Sequence, residues 1–533
     1  MFWVLFFVAA VLFFYYVLIK PQLYWKERNV PQGPPYPILG DRFRSFLRLE
    51  TTTEMIQNAY NRHQHSRYVG TYQGTLPALM LRDPELIKQI TVKDFDHFVN
   101  HRPFVSAKQE PLWNRNLLSL KNEEWKTMRA TLSPTFTSIK MRAMFSLMQQ
   151  TAQQFVDFYL KQNKDILELE LKDSFTRFAS DVIGNCAFGV TVDSLKEPEN
   201  EFYMKGKDVT NFAGFRRILT FTLSLIAPRV AYFLGLRVFS ESSTAFFKTL
   251  VKDTVKVREE QKIQRPDMIH LLMEARKGQL KYEESNEQNE TGFSTVEESE
   301  IGKNTNRPKI VMNDDDMAAQ VFIFFFGGFD TISTMMSFMC YELAVNPDIQ
   351  KKLIQEIDVT SKQNNGKLTY DVLNKMKYMD MVVTENLRKN PPFSLTNREC
   401  TRPYIIQPER PGEVPVHLEE GALLLLPLAG IQHDENYFPN PSRFDPERFS
   451  DENKDKIVPY SYIPFGAGPR NCIASRFALM ECKTLMFYIL SNFEVVVISK
   501  TTIPMKLAKG QITPALEGGF WLGLQRRKNV TTF

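Results

Sequence analysis

The stretch "PFGAGPRNCIASRF", residues 464 to 477, places one cysteine at the end of a loop rich in glycine and proline. Gly466 and Gly468 allow backbone torsion angles that other residues avoid, and Pro469 stiffens the turn. The residues after Cys472 follow a helical pattern, so the sequence predicts that this cysteine lies at a helix N-terminus. Unpaired N–H groups and the helix dipole favour a thiolate at that position.

Taken alone, this loop fits three roles for the sulfur of Cys472: a metal or haem thiolate, a reactive nucleophile, or a buried structural thiol. A nucleophile needs a base, and none of the seven histidines is close to the loop in sequence, although the fold can bring one near. A zinc site would need further Cys or His ligands at suitable spacing, which the sequence lacks. The loop itself does not choose between the remaining roles.

Composition limits the class of protein. The chain has 533 residues, of which 43% are apolar, enough for a sizeable core. Its five cysteines are too few and too unevenly spaced for a disulfide framework, which indicates a reducing compartment. A formal charge of +5 suits a membrane surface or an acidic protein partner, and no basic-aromatic array indicates nucleic-acid binding.

Residues 282–307 carry seven Glu against Lys303 and Arg307, and are predicted to form a flexible surface loop.

The first 19 residues carry no charge and are long enough, at about 28 Å of helix, to cross a bilayer. Lys20, Lys26 and Arg28 follow, so the positive-inside rule places the rest of the chain in the cytosol. We therefore predict three parts of the chain. They are a retained transmembrane anchor at 1–20, a stiff Pro-rich hinge at 21–41 and one catalytic domain at 42–533.

The hydrophobic pattern of the body predicts a mainly α fold with small β-sheets. Amphipathic helical stretches cover residues 139–163, 241–277, 314–345, 368–390 and 474–493. Strand-like runs lie near residues 68–81, 422–430 and 493–499. The apolar stretch 218–236 is interrupted by Pro228 and Arg229, and fits either a buried helix pair or a surface that dips into the membrane.

A second constellation is "FIFFFGGFDTIST", residues 322–334. At helical spacing Phe324, Gly327, Gly328 and Thr331 share one face. Two adjacent glycines cost about 1 kcal/mol each in a helix, so another interaction should offset that cost. Close approach of a flat ligand with room for a diatomic molecule would do so, and so would tight packing between helices.

The segment F-G-A-G-P-R-N-C-I-A, residues 465–474, closely resembles the haem-thiolate signature of the cytochrome P-450 superfamily. Ala474 stands where many members have Gly, a change of one methyl group. Further motifs occur in the family's order, and the resemblance spans roughly residues 30–525. The stretch "FASDVIGNCAFGVTVDSLKEPENEF", 178–202, also resembles insect microsomal members associated with detoxification.

The resemblance implies a haem b cofactor with Cys472 as the axial ligand of its iron. It further implies that Phe465 packs against the proximal face of the haem and that Arg470 pairs with a propionate. In the family's pattern Trp125 and Arg129, one helical turn apart, also hold the propionates. Some relatives add an arginine at the position of Leu395, so that contact is in doubt here.

Residues 322–334 resemble the family's oxygen-activating helix, in which Gly327 lies against the cofactor. Asp330 and Thr331 would then be the acid–alcohol pair that delivers protons during oxygen activation. Asp330 does not share the glycine face, which suits an indirect role through water or a second hydrogen bond. Ile332 stands where relatives often have Thr or Ser.

A third motif is the pair Glu385 and Arg388 in "TENLRKNPP", which is a weak signal by itself. It becomes informative because "FDPERF", residues 444–449, follows downstream. The resemblance implies that both join Arg448 in a buried network that braces the proximal side.

The resemblance implies a membrane-bound haem-thiolate monooxygenase of the endoplasmic reticulum with a single membrane pass. It would insert one atom of O2 into lipophilic xenobiotics such as insecticides or plant toxins, or into endogenous lipids or hormones. Electrons would come from NADPH through a cytochrome reductase, with cytochrome b5 as a second partner. From charge alone, we predict a basic docking face made of Lys126, Lys140, Arg142 and Lys483.

Two alternatives come from other classes of protein. A haem-thiolate isomerase or dehydratase would not need the pair Asp330 and Thr331. A non-enzymatic haem-binding membrane protein would keep Cys472 but need no reductase.

Overall fold

The computed structural model of the chain describes residues 1–34, 36–105, 108–212, 214–278, 292–294 and 312–528. The predicted flexible loop 282–307 lies outside the described residues, apart from 292–294.

The predicted mainly α fold is confirmed. The longer helices are α1 Phe2–Phe14, α2 Thr52–Asn61, α3 Asn122–Leu132, α4 Ser138–Leu160, α5 Leu171–Ile183, α6 Glu201–Thr210, α7 Phe215–Ile226, α8 Glu241–Gln261, α9 Met268–Arg276, α10 Asp314–Val345, α11 Pro347–Gln363, α12 Lys377–Lys389 and α13 Ser475–Asn492. Short helical turns are Tyr24–Glu27, Phe43–Phe46, Pro84–Lys88, Pro111–Asn114, Pro228–Phe233, Tyr370–Asn374, Leu428–Ile431 and Pro446–Phe449.

The strands form three small sheets at the side of the helical body. They are β1 Tyr68–Gln73, β2 Leu76–Leu81, β3 Ile166–Glu170, β4 Thr396–Glu399, β5 Tyr404–Ile406, β6 Val416–Leu418, β7 Leu423–Leu426, β8 Phe493–Val496 and β9 Trp521–Arg526. The largest sheet has the strand order β1-β2-β7-β4, the second β3-β9-β8 and the third β5-β6. The run predicted at 68–81 is a hairpin, because Gly74 turns the chain at a φ of +65°.

The long helix α10 is well specified by its sequence. Asn313 accepts a hydrogen bond from the N–H of Asp316, and the Asp316 side chain accepts one from the N–H of Asn313. Acidic residues fill the first turn, where their negative charges interact favourably with the positive end of the helix dipole. Pro347 then opens α11, so the helix ends where a new one begins.

The predicted single helical stretch 241–277 is wrong, since the structure breaks it into α8 and α9. Lys262 takes a left-handed conformation with a φ of +54°, and Pro266 has no N–H with which to continue the helix. Asp267 caps α9 by accepting from the N–H of His270. Its carboxylate also accepts from Arg258 at two distances of 2.6 Å in a buried ion pair.

The predicted stretch 368–390 is likewise divided, with α12 starting afresh at Lys377. Glu356 of α11 accepts hydrogen bonds from the N–H groups of Tyr378 and Met379, both at 2.8 Å. The carboxylate therefore caps the first turn of α12 from a neighbouring helix, and no pattern within 368–390 reveals it.

The segment 21–41, predicted to be a Pro-rich hinge, contacts the body. Trp25 is buried, and its indole N–H donates to the carbonyl of Thr71 at 3.2 Å. Gln32 forms a parallel bridge with Gly70. The chain after the apolar N-terminal helix is thus packed against β1.

The cysteine loop lies where two hydrophobic cores meet. The larger core gathers the central helices around α10, and the smaller one lies beneath the sheet β1-β2-β7-β4. Ile463 and Ala467 belong to the smaller core, whereas Phe465 and Ile473 pack against the larger one. Because both cores hold the loop, the position of Cys472 depends on the packing of the whole body.

Candidate active site

The backbone of the cysteine loop is fixed by its own hydrogen bonds. The N–H of Cys472 donates to the carbonyl of Phe465 at 2.9 Å, and the N–H of Asn471 donates to Gly468 at 2.9 Å. Gly466 and Gly468 have φ values of +78° and +70°. A Cβ at Gly468 would lie 1.8 Å from the carbonyl oxygen of Thr91, so a side chain there would break the loop's contact with the body.

Cys472 is exposed, whereas the other four cysteines are buried. It precedes α13, as predicted, and Ala474 is the N-cap of that helix. Burial by the surrounding protein still raises the pKa of the Cys472 thiol, against the opposite effects of the Ala474 N–H and Arg129. A metal ion on the sulfur would stabilise the thiolate against this effect of burial.

Basic side chains converge beside the cysteine loop. Arg129 of α3 donates to the backbone carbonyl and to the side-chain oxygen of Asn471, at 3.0 and 2.8 Å. The Arg470 guanidinium lies 4.0 Å from the ring centre of Trp125. It donates to three backbone carbonyls, at distances of 2.6 to 3.2 Å, those of Val99, Leu117 and Leu120.

Arg398 on β4 completes this group, and sequence reasoning missed it. The side chain is buried and donates to the carbonyls of Asn397 and Ala467, both at 2.7 Å. Burial lowers the pKa of Arg398 to about 10, and the charges of Arg398 and Arg129 help burial to lower that of Arg470. Leu395, the position of the third contact seen in some relatives, directly precedes the same strand, and Arg398 is the arginine that follows it on β4.

Within the described residues, the structure pairs neither Arg398 nor Arg470 with a carboxylate. A buried cation without a counter-ion is costly, so this cluster is built for an anionic ligand. Guanidinium groups bind carboxylates and phosphates best.

The two glycines of α10 have different roles. A Cβ at Gly328 would touch Ile183 of α5 at 3.0 Å, so this glycine serves the packing of two helices. A Cβ at Gly327 would meet no atom within 4 Å, and Gly327 is exposed in the middle of a largely buried helix. The sequence left two explanations for the adjacent glycines in this helix. Packing between helices explains Gly328, and open space for a ligand explains Gly327.

Thr331 follows on the Gly327 side of α10, and its hydroxyl donates to the Gly327 carbonyl at 2.5 Å. Asp330 points elsewhere, as its position off the glycine face predicts. Its carboxylate accepts from Lys172 of α5 at 2.7 Å in a half-buried ion pair. Lys172 also lies within 2.8 Å of the Asp330 carbonyl and 2.7 Å of the hydroxyls of Ser333 and Thr334.

Lys172 is the second residue that sequence reasoning missed. Burial lowers the pKa of its ammonium, and the carboxylate of Asp330 opposes that shift. It comes from a helix that is far from α10 in sequence, so no local pattern connects the two residues.

The bracing network is present as predicted. Arg388 donates to both oxygens of Glu385, at 2.7 and 2.9 Å, and both side chains are fully buried. Arg448 lies 3.5 Å from the same carboxylate, which also accepts from the N–H of Asp445 at 2.9 Å. Burial raises the pKa of Glu385, and the two arginines counter this effect.

The predicted basic docking face is wrong for Lys483. Only 3% of its side chain is exposed, and it donates to Asp380 at 2.8 Å. Arg142 pairs with Asp371 at 2.5 Å, and Lys126 pairs with Glu123 at 2.9 Å. Lys140 is half-buried on α4.

The residues present fit a haem with a cysteine ligand. Cys472 offers one accessible sulfur, and the buried arginines match two carboxylates on the edge of a flat group. Gly327 leaves room for the plane of that group beside α10. Phe465 lies in the same loop as the sulfur, where the predicted contact with the proximal haem face would form.

Arg398→Met should weaken retention of haem. The variant loses one charge-assisted hydrogen bond to the haem, worth about 1.5–3 kcal/mol. We therefore expect the rate of haem transfer to apomyoglobin to rise by about 10- to 100-fold. The exposed neighbour Arg402→Met is the matched control and should leave the rate unchanged. Equal transfer rates for wild type and Arg398→Met would show that Arg398 does not hold the cofactor.

Comparisons with known proteins agree with this geometry. The family model described as Cytochrome P450 matches residues 31–518. The chain is 46% identical over 521 residues to cytochrome P450 9e2 of Blattella germanica, covering 95% of this chain and 94% of the relative. It is 40% identical over 537 residues to probable cytochrome P450 9f2 of Drosophila melanogaster, covering 99% of both. The chain therefore belongs to the cytochrome P450 family of haem-thiolate monooxygenases.

Proposed function

We propose that this protein is a monooxygenase of the endoplasmic reticulum that oxidises bulky, apolar xenobiotics. Its electrons would come from NADPH through a membrane-bound cytochrome reductase, with cytochrome b5 as a second donor. The observation that carries the proposal is the accessible thiol of Cys472, held in a rigid loop beside the buried Arg398 and Arg470. Neither of these two arginines pairs with a carboxylate in the part of the chain that the structure describes. The insect relatives support detoxification as the physiological context.

When bound, haem supplies the activation of O2, and its thiolate ligand favours cleavage of the O–O bond. The chain's own contribution is to hold and orient that group. Cys472 would ligate the iron, and Trp125, Arg129, Arg398 and Arg470 would bind the propionates. The Glu385 network would keep the loop from shifting, since its charges are compensated only in this arrangement.

Proton delivery would use the polar residues of α10. The Thr331 hydroxyl lies at the Gly327 face and can pass on a proton at Oγ1. Asp330 Oδ1 is held by Lys172 at 2.7 Å, so it can exchange protons only when that contact loosens or through its second oxygen. Lys172 would thus be a positioning residue that keeps the Asp330 carboxylate directed away from the substrate.

The substrate side is lined by aromatic rings next to Gly327. Phe326 lies with its ring centre 4.8 Å from Trp113 and 6.0 Å from Phe212. Phe221 of α7 then lies 5.5 Å from Phe212 and 5.6 Å from Phe104. These rings offer a large apolar wall and no charge, which supports bulky lipophilic substrates over polar metabolites.

Attachment to the endoplasmic reticulum is supported by the apolar surface of the described residues. The helix Phe2–Glu27 is long and apolar enough to span a membrane, and its most apolar window has no buried residue. The second such helix, α10, is 61% buried and is the core helix of the body. Phe233, at 88% exposed, and Leu234, at 57%, add a second apolar surface at the end of the turn Pro228–Phe233.

The helix α7, which precedes this surface in the chain, contacts the N-terminal part of the body. Ile226 of α7 reaches the backbone turn at Gly74, and both Ile218 and Arg48 lie near Gly510. Leu47 and Leu49, next to Arg48, are about half-exposed. Exposed apolar side chains thus occur in two distant segments, both of which are connected to residues that contact or lie near α7, and this supports a membrane-facing surface. The catalytic body would be cytosolic, behind a single span.

Reconstituted turnover tests the proposed function. The haem-loaded protein, in phospholipid vesicles with NADPH-cytochrome reductase, should incorporate one atom of ¹⁸O2 into a lipophilic aromatic substrate and release the other as water. Omitting NADPH should abolish the product. An isomerase or dehydratase would form product without O2, and a non-enzymatic haem binder would form none, so either result would contradict the proposal.

Lys172→Met should lower the coupling of NADPH oxidation to product. Without the ammonium, the Asp330 carboxylate loses the contact at 2.7 Å that positions it, so the product formed per NADPH should fall by about tenfold, with more hydrogen peroxide released. Lys207→Met is the control, because Lys207 is exposed and pairs with Asp173 at 3.4 Å. Unchanged coupling with a lower melting temperature would mean that Lys172 only stabilises the fold.

Phe233→Glu should weaken membrane binding in a protein that lacks residues 1–20. Burying one phenylalanine contributes about 1.5–3 kcal/mol. The partition coefficient between vesicles and buffer, measured by sedimentation, should therefore fall by about tenfold or more. Val359→Glu on α11, also exposed, is the matched control. Equal partitioning of both variants would contradict a second membrane contact at Phe233.

A further inference from the structure

Glu110 is a buried acidic residue beside the substrate wall, and neither the haem site nor the proton pathway uses it. Its Oε1 accepts hydrogen bonds from the N–H groups of Val238 and Phe239, at 2.9 and 3.1 Å. These two residues precede α8 and belong to no helix or strand, so secondary structure offers their N–H groups no acceptor. One carboxylate therefore fixes the backbone at the end of the connection between α7 and α8.

Glu110 is also the N-cap of the short helical turn that carries Trp113. The chain just after this turn is attached to α10 by the buried side chain of Gln320. Its amide donates to the carbonyl of Arg115 at 2.8 Å and accepts from the N–H of Leu117 at 2.9 Å. The turn therefore has a fixed position on the core helix of the body.

Trp113 and Phe239 form a pair of rings behind Phe326, and we call them the supporting pair. Their ring centres lie 4.9 Å apart, and they lie 4.8 and 5.9 Å, respectively, from the ring centre of Phe326. Phe326 directly precedes the exposed Gly327 and is partly buried, whereas both members of the pair are fully buried. The supporting pair thus packs against the substrate wall from its buried side.

The two members of the supporting pair are held in different ways. Trp113 is attached to α10, whereas Phe239 ends a connection whose middle is exposed. Gln109 donates to the carbonyl of Leu236 in this connection at 3.2 Å, and Glu110 holds the residues that follow. The position of Phe239 relative to Trp113 therefore depends on the hydrogen bonds of two adjacent side chains, with Glu110 binding the Phe239 backbone directly.

We propose that Glu110 is a positioning residue that limits the size of the substrates this site accepts. By holding the backbone of Phe239, it keeps the supporting pair closed behind Phe326, so the wall cannot move back to admit a bulky group. Loss of these bonds would let Phe239 shift, and the preference for small over large ligands would weaken. The inference rests on the proposed function only in taking Phe326 as part of the substrate side.

Glu110→Ala in the full-length, haem-loaded protein tests this role. The probes are imidazole and 1-tritylimidazole, which share the ring that binds haem iron and differ in bulk, and binding is followed by absorbance of the ferric protein. The ratio of their dissociation constants, trityl compound over imidazole, should fall by about tenfold or more, because the bulky group no longer meets a fixed wall. The dissociation constant of imidazole itself should change by less than about twofold.

Two further variants separate positioning from stability. Glu110→Gln keeps an oxygen that can accept from both N–H groups, so its ratio should stay within about twofold of wild type. Glu356→Ala is the matched control, because Glu356 also accepts from two consecutive N–H groups but caps α12. It should lower the melting temperature and leave the ratio unchanged.

If Glu110→Ala does not retain haem, Glu110→Asp takes its place in the titrations. Its carboxylate is withdrawn by one methylene group, so the hydrogen bonds to the Phe239 backbone weaken and the ratio should fall by about threefold.

An unchanged ratio in the Glu110 variant, or a trityl compound that binds neither this variant nor wild type, would overturn the proposal. An equal fall in Glu356→Ala or in Glu110→Gln would overturn it as well, because the ratio would then not follow the two hydrogen bonds. The titrations need no NADPH and no reductase, so failure of the proposed function appears separately, as absent product in the reconstituted assay.

Discussion

The structure depends on keeping one thiol accessible at a fixed point inside a large helical body. Cys472 is held by a backbone hydrogen bond to Phe465 and by a loop whose glycines are required by their torsion angles. Residues of that loop pack in both hydrophobic cores. Desolvation by the surrounding protein raises the pKa of the Cys472 thiol, and a metal ion on the sulfur would stabilise the thiolate. The protein thus fixes the position of the sulfur, and the metal ion of the cofactor would stabilise the negative charge of the thiolate.

The same division of roles recurs around the site. Arg398 and Arg470 are buried and donate to backbone carbonyls, yet their positive charge has no counter-ion among the described residues. By contrast, the Glu385 network and the pair of Lys172 with Asp330 are already compensated within the chain. Uncompensated charge marks the position of the ligand, whereas compensated charge marks the parts that hold or position.

Contiguous patterns predicted a large part of this arrangement. The cysteine loop, the glycine face and Thr331, and the motif of Glu385 and Arg388 each lie within one short stretch, so torsion and periodicity requirements are visible in the sequence. Arg398 and Lys172 were missed because each acts on residues that only the tertiary fold brings near. The same reason explains the error at Lys483: its partner Asp380 belongs to another helix, so a lysine that looked exposed is buried.

The carbon monoxide difference spectrum of the reduced, full-length protein tests the central claim most directly. The account predicts the red-shifted band of a thiolate-ligated haem in wild type and in Cys400→Ser, whose cysteine is buried elsewhere. It predicts loss of that band in Cys472→Ser, with haem still bound through the arginine cluster. Absence of the band in wild type, or its persistence in Cys472→Ser, would contradict the assignment of Cys472 as the iron ligand.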